Sequence, residues 1–235
     1  MSLENQKVVV VGGTSGIGLA VAKAAVVQGA SIVVASRSQK RCEQAASIIG
    51  GDVKAYTVDV TEEDSIQALF DQVGEFDHLV TTPGDPITFS SFLDADMTLV
   101  THQFAVKFWG QYLCAKYGAK RIKPQGSITF MSGGGRQNKG NSTLASINGA
   151  IDSLGKLLAV ELAPIRVNVV RPGLVKTDVW NNFSQAERLD MYKTVGEKLM
   201  VGRVGTAEDI AETYLYFLSN SFTTGVAIDV DGGAL

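Results

Sequence analysis

The sequence predicts a doubly wound α/β domain, a parallel sheet with helices on both faces. Three observations carry this. Short β-branched runs, such as Val8 to Val11, alternate with helical stretches along the whole chain. The changes of element fall on turn residues, among them Gly29-Ala30, Gly50-Gly51, Pro83-Gly84 and Pro172-Gly173. The first strand runs straight into Gly12, Gly16 and Gly18 and then into a helix.

Each element follows in order. Val8 to Val11 reads as a strand buried on both faces, and Leu19 to Val27 as the helix after it. Ser31 to Ala35 is a second strand. Ser38 caps a helix to about Ile49, and Gly50-Gly51 stops it. Val53 to Val58 is a third strand. Thr61 is placed to cap the next helix, with Asp64 in capping-box position. Phe76 to Thr82 is a fourth strand. One long helix is expected from Asp94 to Ile122, then a turn at Lys123 to Gly126. Ser127 to Ser132 is a fifth strand, Gly133-Gly134-Gly135 a loop and Leu144 to Leu162 a helix. Ile165 to Val170 is a sixth strand. The segment 174–203 is less regular, with amphipathic character from Ala186 to Met200. Thr206 caps a helix to about Ser219, and Val226 to Val230 is the last strand. No linker or repeat interrupts residues 1–235, which predicts one domain.

Composition narrows the function classes. The chain has 235 residues and a net charge of −3, so a nucleic-acid surface is not expected. Cys42 and Cys114 are far apart and lack CxxC spacing, which suits reduced thiols in a cytoplasmic protein. The start, MSLENQK, is too polar for a signal peptide. No apolar run nears the length of a membrane span. The two histidines, His78 and His102, lie apart with no Cys cluster, so no metal site is expected.

The stretch from Lys7 to Gly18, KVVVVGGTSGIG, carries chemistry. A strand that turns through glycines into a helix start presents backbone N–H groups and the positive end of the helix dipole, a site for phosphate. The spacing is GxxxGxG, not GxGxxG. The alternative is a tight turn without a ligand.

The chain resembles the short-chain dehydrogenase/reductase family over essentially its whole length. The matching residues are VVGGTSGIG (10–18), DV (59–60), LAVELAPIRVNVVRPG (158–173) with Thr177, GRVGTAEDIA (202–211) and TGVAIDVDGG (224–233). The resemblance implies a Rossmann-type sheet of seven strands, a bound NAD(P), a small-molecule substrate and a homodimer or homotetramer. It implies that Gly12, Thr14, Ser15, Gly16, Ile17 and Gly18 form the pyrophosphate loop. Asp59 and Val60 match the adenine contact, and Pro172, Gly173 and Thr177 the loop that meets the nicotinamide. Thr81, Thr82, Pro83 and Gly84 stand where the family has Asn-Asn-Ala-Gly, so only Gly84 matches. At the end of the second strand an acidic residue would bind the 2′-hydroxyl of NAD. Here Ser36 and Arg37 follow instead, a pair suited to a 2′-phosphate, so NADP(H) is predicted over NAD(H). Otherwise Arg37 is a solvated surface charge.

The family's catalytic Ser, Tyr, Lys and Asn are all replaced. Their positions hold Gly133, Leu144, Asn148 and Lys107. Loss of a placed general acid usually costs about 10²–10⁴ in rate. Hydride donation belongs to the cofactor. The expected reaction is therefore reduction of an activated C=N or C=C bond, including a cationic one, rather than of a ketone. The alternatives are a non-redox cyclisation or isomerisation, and a regulatory NADP(H) binder. Lys107 either supplies charge or a proton or reaches to solvent. Ser132, beside the lost serine, is a substitute or a structural group, and strand alternation favours the second. Asn148 retains the means to hydrogen-bond a ribose. Arg136 is an anion clamp or an exposed loop charge. Asp152 faces the same side of the helix or pairs with Lys156. Trp180 is a substrate platform or a core aromatic, and His102 a proton donor or a packing residue. Phe104, Phe108, Trp109 and Tyr112 read as core or subunit interface.

Overall fold

The structure, a computed structural model, describes residues 2–134 and 139–234. Seven parallel strands form one sheet: β1 (Lys7–Val11), β2 (Ser31–Ser36), β3 (Val53–Thr57), β4 (Phe76–Thr81), β5 (Ile122–Met131), β6 (Arg166–Pro172) and β7 (Ala227–Val230). Their order is β3-β2-β1-β4-β5-β6-β7. β1 lies between β2 and β4, with Val8 beside both Ile32 and His78. The winding direction reverses between β1 and β4, which parts the loops above them and opens a crevice.

The valine run is explained by two cores. Val9 and Val11 point into one, Val8 and Val10 into the other. The helices α1 (Gly16–Val27), α2 (Gln39–Ile49) and α8 (Ala207–Ser219) cover the second core. The first is covered by α3 (Glu63–Val73), α5 (Gly110–Gly118) and α6 (Ser142–Glu161). Ser38 accepts from the Arg41 N–H at the start of α2, and Thr206 forms a full capping box with Asp209 on α8.

Four local expectations are corrected. Thr61 does not cap α3: its N–H and hydroxyl both donate to Asp59, at 3.0 and 2.7 Å, closing a turn, and α3 starts after Glu62. The long helix from Asp94 to Ile122 is broken. A 3₁₀ turn at Phe92–Asp94 precedes α4 (Met97–Gln103), a π-turn spans Phe104–Trp109, and α5 ends at Gly118. In the π-turn the Gly110 N–H reaches back to the Ala105 carbonyl. Gly110 also lies against Val60, where a Cβ would come within 2.9 Å, so the helix meets the turn after β3 at a glycine. Ile122 opens β5 rather than ending a helix. Lys123 to Gly126 is a bulge within that strand: between the pairs Phe76↔Ile122 and His78↔Ser127 one residue of β4 faces four of β5, with Gln125 at φ 71. In the segment 174–203, a 3₁₀ turn at Asp178–Trp180 precedes α7 (Gln185–Gly196), which starts on a Ser184–Glu187 capping box. Both cysteines are free and buried. No described helix is long and apolar enough to cross a membrane.

Candidate active site

The C-terminal ends of β1, β2, β4, β5 and β6 border one cleft of about 1650 Å³. Its first part is the turn after β1. Gly12 sits at φ +88 with a Cβ position only 2.7 Å from the Thr82 carbonyl, and a Cβ on Gly18 would lie 2.4 Å from the Gly12 oxygen. Only glycine permits that approach. Thr82, at the family's asparagine position, directs its hydroxyl at the carbonyls of Val11 and Gly12, both at 3.3 Å. α1 begins without a side-chain cap and without an acidic residue in its first turn, so its backbone donors stay open to an anion. Thr14, Ser15, Gly16 and Ile17 line the cleft here, and Thr177 closes on Gly16 from the other side.

At the end of β2, Ser36 and Arg37 line the same cleft. The Arg37 guanidinium donates to Asp85 at 2.8 Å. His102 Nε2 lies 3.0 Å from the other Asp85 oxygen, close enough for an ion pair but not aligned for a hydrogen bond. Arg41, in the first turn of α2, donates to the Ser15 hydroxyl at 3.1 Å and brings a second guanidinium to this corner. Val60 and Gly84 line the cleft, whereas the Asp59 carboxylate is turned to Thr61, whose hydrogen bonds lower its pKa.

The other end of the cleft is built from the π-turn, the end of β5, α6 and the loop after β6. The buried Gln111 side chain fastens the π-turn to the sheet. It donates to the carbonyls of Lys107 (2.7 Å) and Met131 (3.0 Å) and accepts from Thr81 and the Met131 N–H. Lys107 then extends into the cleft, and its ammonium has no hydrogen bond or ion pair among the described residues. Burial pushes its pKa down to about 8, with Asp152 acting in the opposite direction. Ser132 is buried and donates to Asp152 at 2.7 Å. Asn148 donates to the Gly133 carbonyl at 3.3 Å, and its own side-chain oxygen is buried and unpartnered. A Cβ on Gly133 would lie 2.8 Å from the Asn148 amide nitrogen, so a side chain at position 133 would crowd Asn148. Leu144, Pro172 and Gly173 complete this wall. Trp180 is buried, donates to the Val175 carbonyl at 2.9 Å and stacks on Phe89, so it is at once a core aromatic and a cleft wall. None of the six tyrosines, all of them described residues, lines the cleft.

A family model described as enoyl-(acyl carrier protein) reductase matches residues 11–234. A short-chain dehydrogenase/reductase of Stachybotrys chlorohalonatus is 34% identical over 99% of this chain and 98% of its own. The chain belongs to the short-chain dehydrogenase/reductase family. A solved small-chain dehydrogenase in complex with NADPH is 39% identical, with a TM-score of 0.87 over 98% of both chains. MalC, a reductase/Diels-Alderase of Malbranchea aurantiaca, is 26% identical with a TM-score of 0.91, over 98% of this chain and 96% of its own. The family, its fold and its relatives mark this protein as an oxidoreductase of the short-chain type.

The sequence alone does not single out Arg41, Asp85, Gln111 or Arg171, although Arg41 falls in the first turn of the helix capped by Ser38. Asp152 does not pair with Lys156. It bonds Ser132 and Arg171 instead. His102 is a partly exposed group at Asp85 rather than a packing residue. Gly135 and Arg136 lie outside the described residues. No group of three or more metal-binding side chains occurs among the described residues.

Proposed function

We propose that this chain binds NADP(H) in the cleft and reduces an activated C=N or conjugated C=C bond of a small organic substrate. The observation that carries the reading is a nucleotide-type cleft with no tyrosine on its wall and Lys107 in its interior. The residues fit the cofactor. The Gly12–Gly18 turn leaves donors for the pyrophosphate, and the unpartnered Asn148 oxygen suits a ribose hydroxyl. Arg37 and Arg41 suit a 2′-phosphate, in keeping with the NADPH of the 39% identical relative.

NADPH, when bound, supplies the hydride. The chain supplies the rest. Lys107 meets the charge that develops on the substrate and gives up its proton, which solvent restores. Trp180, Phe89 and Leu144 provide an apolar wall that excludes water around the reacting bond. Ser132 ties the end of β5 to Asp152, and Asn148 holds the Gly133 carbonyl. Trp109, Tyr112, Leu157 and Val160 leave apolar surface exposed on α5, α6 and the π-turn, which suits a homodimer or homotetramer.

NADPH absorbance followed with a panel of ketones, imines and enones tests the reading. Turnover of enones or imines is expected, and fast turnover of simple ketones alone would refute it. A second reading is a non-redox cyclisation in the same cleft, favoured by the likeness to a reductase/Diels-Alderase. It predicts product without NADPH consumption.

A further inference from the structure

Asp152 is a carboxylate to which the proposed reaction assigns no part, yet groups from two strands converge on it. Ser132, at the end of β5, donates to Oδ1 at 2.7 Å. Arg171 of β6 donates to Oδ2 at 3.4 Å and, through its other nitrogen, to Asp229 of β7 at 2.7 Å. The Asp152 side chain keeps only 22% of its exposure. A solvated helix aspartate would need none of these partners. With both oxygens tied, the carboxylate cannot rotate without breaking a contact. Arg171 is shared between two carboxylates, so one positive charge faces two negative ones. α6 packs against the π-turn that carries Lys107, and the Asp152 charge opposes the burial that lowers the Lys107 pKa. Of the titratable groups on the same helical region, His102 is engaged with Asp85, Lys116 and Tyr117 with Glu63, and Cys114 is buried in the core.

We propose that Asp152 is the positioning residue of the altered site: pinned by Ser132 and Arg171, it keeps a positive charge on Lys107 facing the cleft. The idea rests on the reading above that Lys107 is the proton donor, and it narrows the substrate class. A preformed cationic iminium meets like charge at Lys107. A neutral enone or imine develops negative charge on oxygen or nitrogen beside the ammonium, and so is favoured. In balance, the substrate takes one hydride from NADPH and one proton from Lys107, leaving NADP⁺ and a neutral amine that regains its proton from water.

The test is NMR titration of the intact protein labelled with ¹³C,¹⁵N-lysine, with Lys107 assigned through Lys107→Gln. The Lys107 midpoint is expected near 8 in the parent chain. Asp152→Asn moves it down by about one pH unit, and Asp152→Glu returns most of that shift. Arg171→Gln moves it up, by removing the charge that offsets Asp152. Midpoints unchanged in both Asp152→Asn and Arg171→Gln overturn the proposal, whatever happens to the rate. With a neutral enone such as 2-cyclohexenone, kcat/KM falls as pH rises through the Lys107 midpoint, and Asp152→Asn brings that fall about one unit earlier. Undiminished enone reduction by Lys107→Gln would sink the acid role of Lys107, while the titration would still report on Asp152 separately.

Discussion

Removing the Arg37 guanidinium tests the nucleotide assignment most directly. A charge-assisted hydrogen bond to a phosphate contributes about 1.5–3 kcal/mol. Arg37 must first leave Asp85, at 2.8 Å, and it is 55% exposed in that pair, so leaving costs at most about 1 kcal/mol. The net contribution is about 0.5–2 kcal/mol, or roughly 2–30-fold in affinity. Arg37→Ala is therefore expected to weaken NADPH by that factor and to leave NADH unchanged. Asp85→Ala should act the other way, freeing Arg37 and tightening NADPH by up to about 5-fold. Isothermal titration of both nucleotides against the three proteins reads these changes. Equal losses for NADPH and NADH in Arg37→Ala, or no loss for either, would refute the assignment of this corner to a 2′-phosphate.

Gly133→Ser alone places a Cβ 2.8 Å from the Asn148 amide. It should cost about 1–3 kcal/mol, seen as a Tm lower by roughly 3–10 °C in a thermal melt. Gly133→Ser, Leu144→Tyr and Asn148→Lys together remove that conflict and return a phenol and an amine to α6. Ketone reduction at least about 10-fold above the parent chain is expected by NADPH absorbance, and no gain would count against the placement of these positions. His78 is buried against Ser127 and Gln6, and burial holds its pKa down to about 4 from its ordinary 6.5. The unfolded chain thus binds the extra proton between pH 6.5 and 4. The stability is complete above pH 6.5 and falls by up to about 3 kcal/mol toward pH 4. Urea unfolding at both pH values should show this slope, and His78→Gln should flatten it.

Much of the architecture was legible because it rests on local rules. Four valines in a row have one easy solution, a strand with a core on each face, and the two clusters that divide them are that solution. Gly12 and Gly18 announced a close backbone approach, and their Cβ positions show how close. Ser38 and Thr206 cap where their residue types suggested. The misreadings came where a distant partner outcompeted a local one. The β5 bulge obeys pairing with β4 rather than its Pro-Gly signal, and the long helix yields to the contact of Gly110 with Val60, whereas Thr61 is drawn to Asp59 only two residues back.

The amino-acid sequence by itself determined the sheet, the glycine turn and the basic residues after β2, because each depends on residue type and spacing along the chain. Only the tertiary structure decided which charges meet. Arg37 finds Asp85 across 48 residues, Ser132 and Arg171 find Asp152 rather than leaving it to Lys156, and Gln111 fastens the turn that carries Lys107. Such pairings depend on how helices settle on the sheet, and the energies of one helical turn are too small to foretell them.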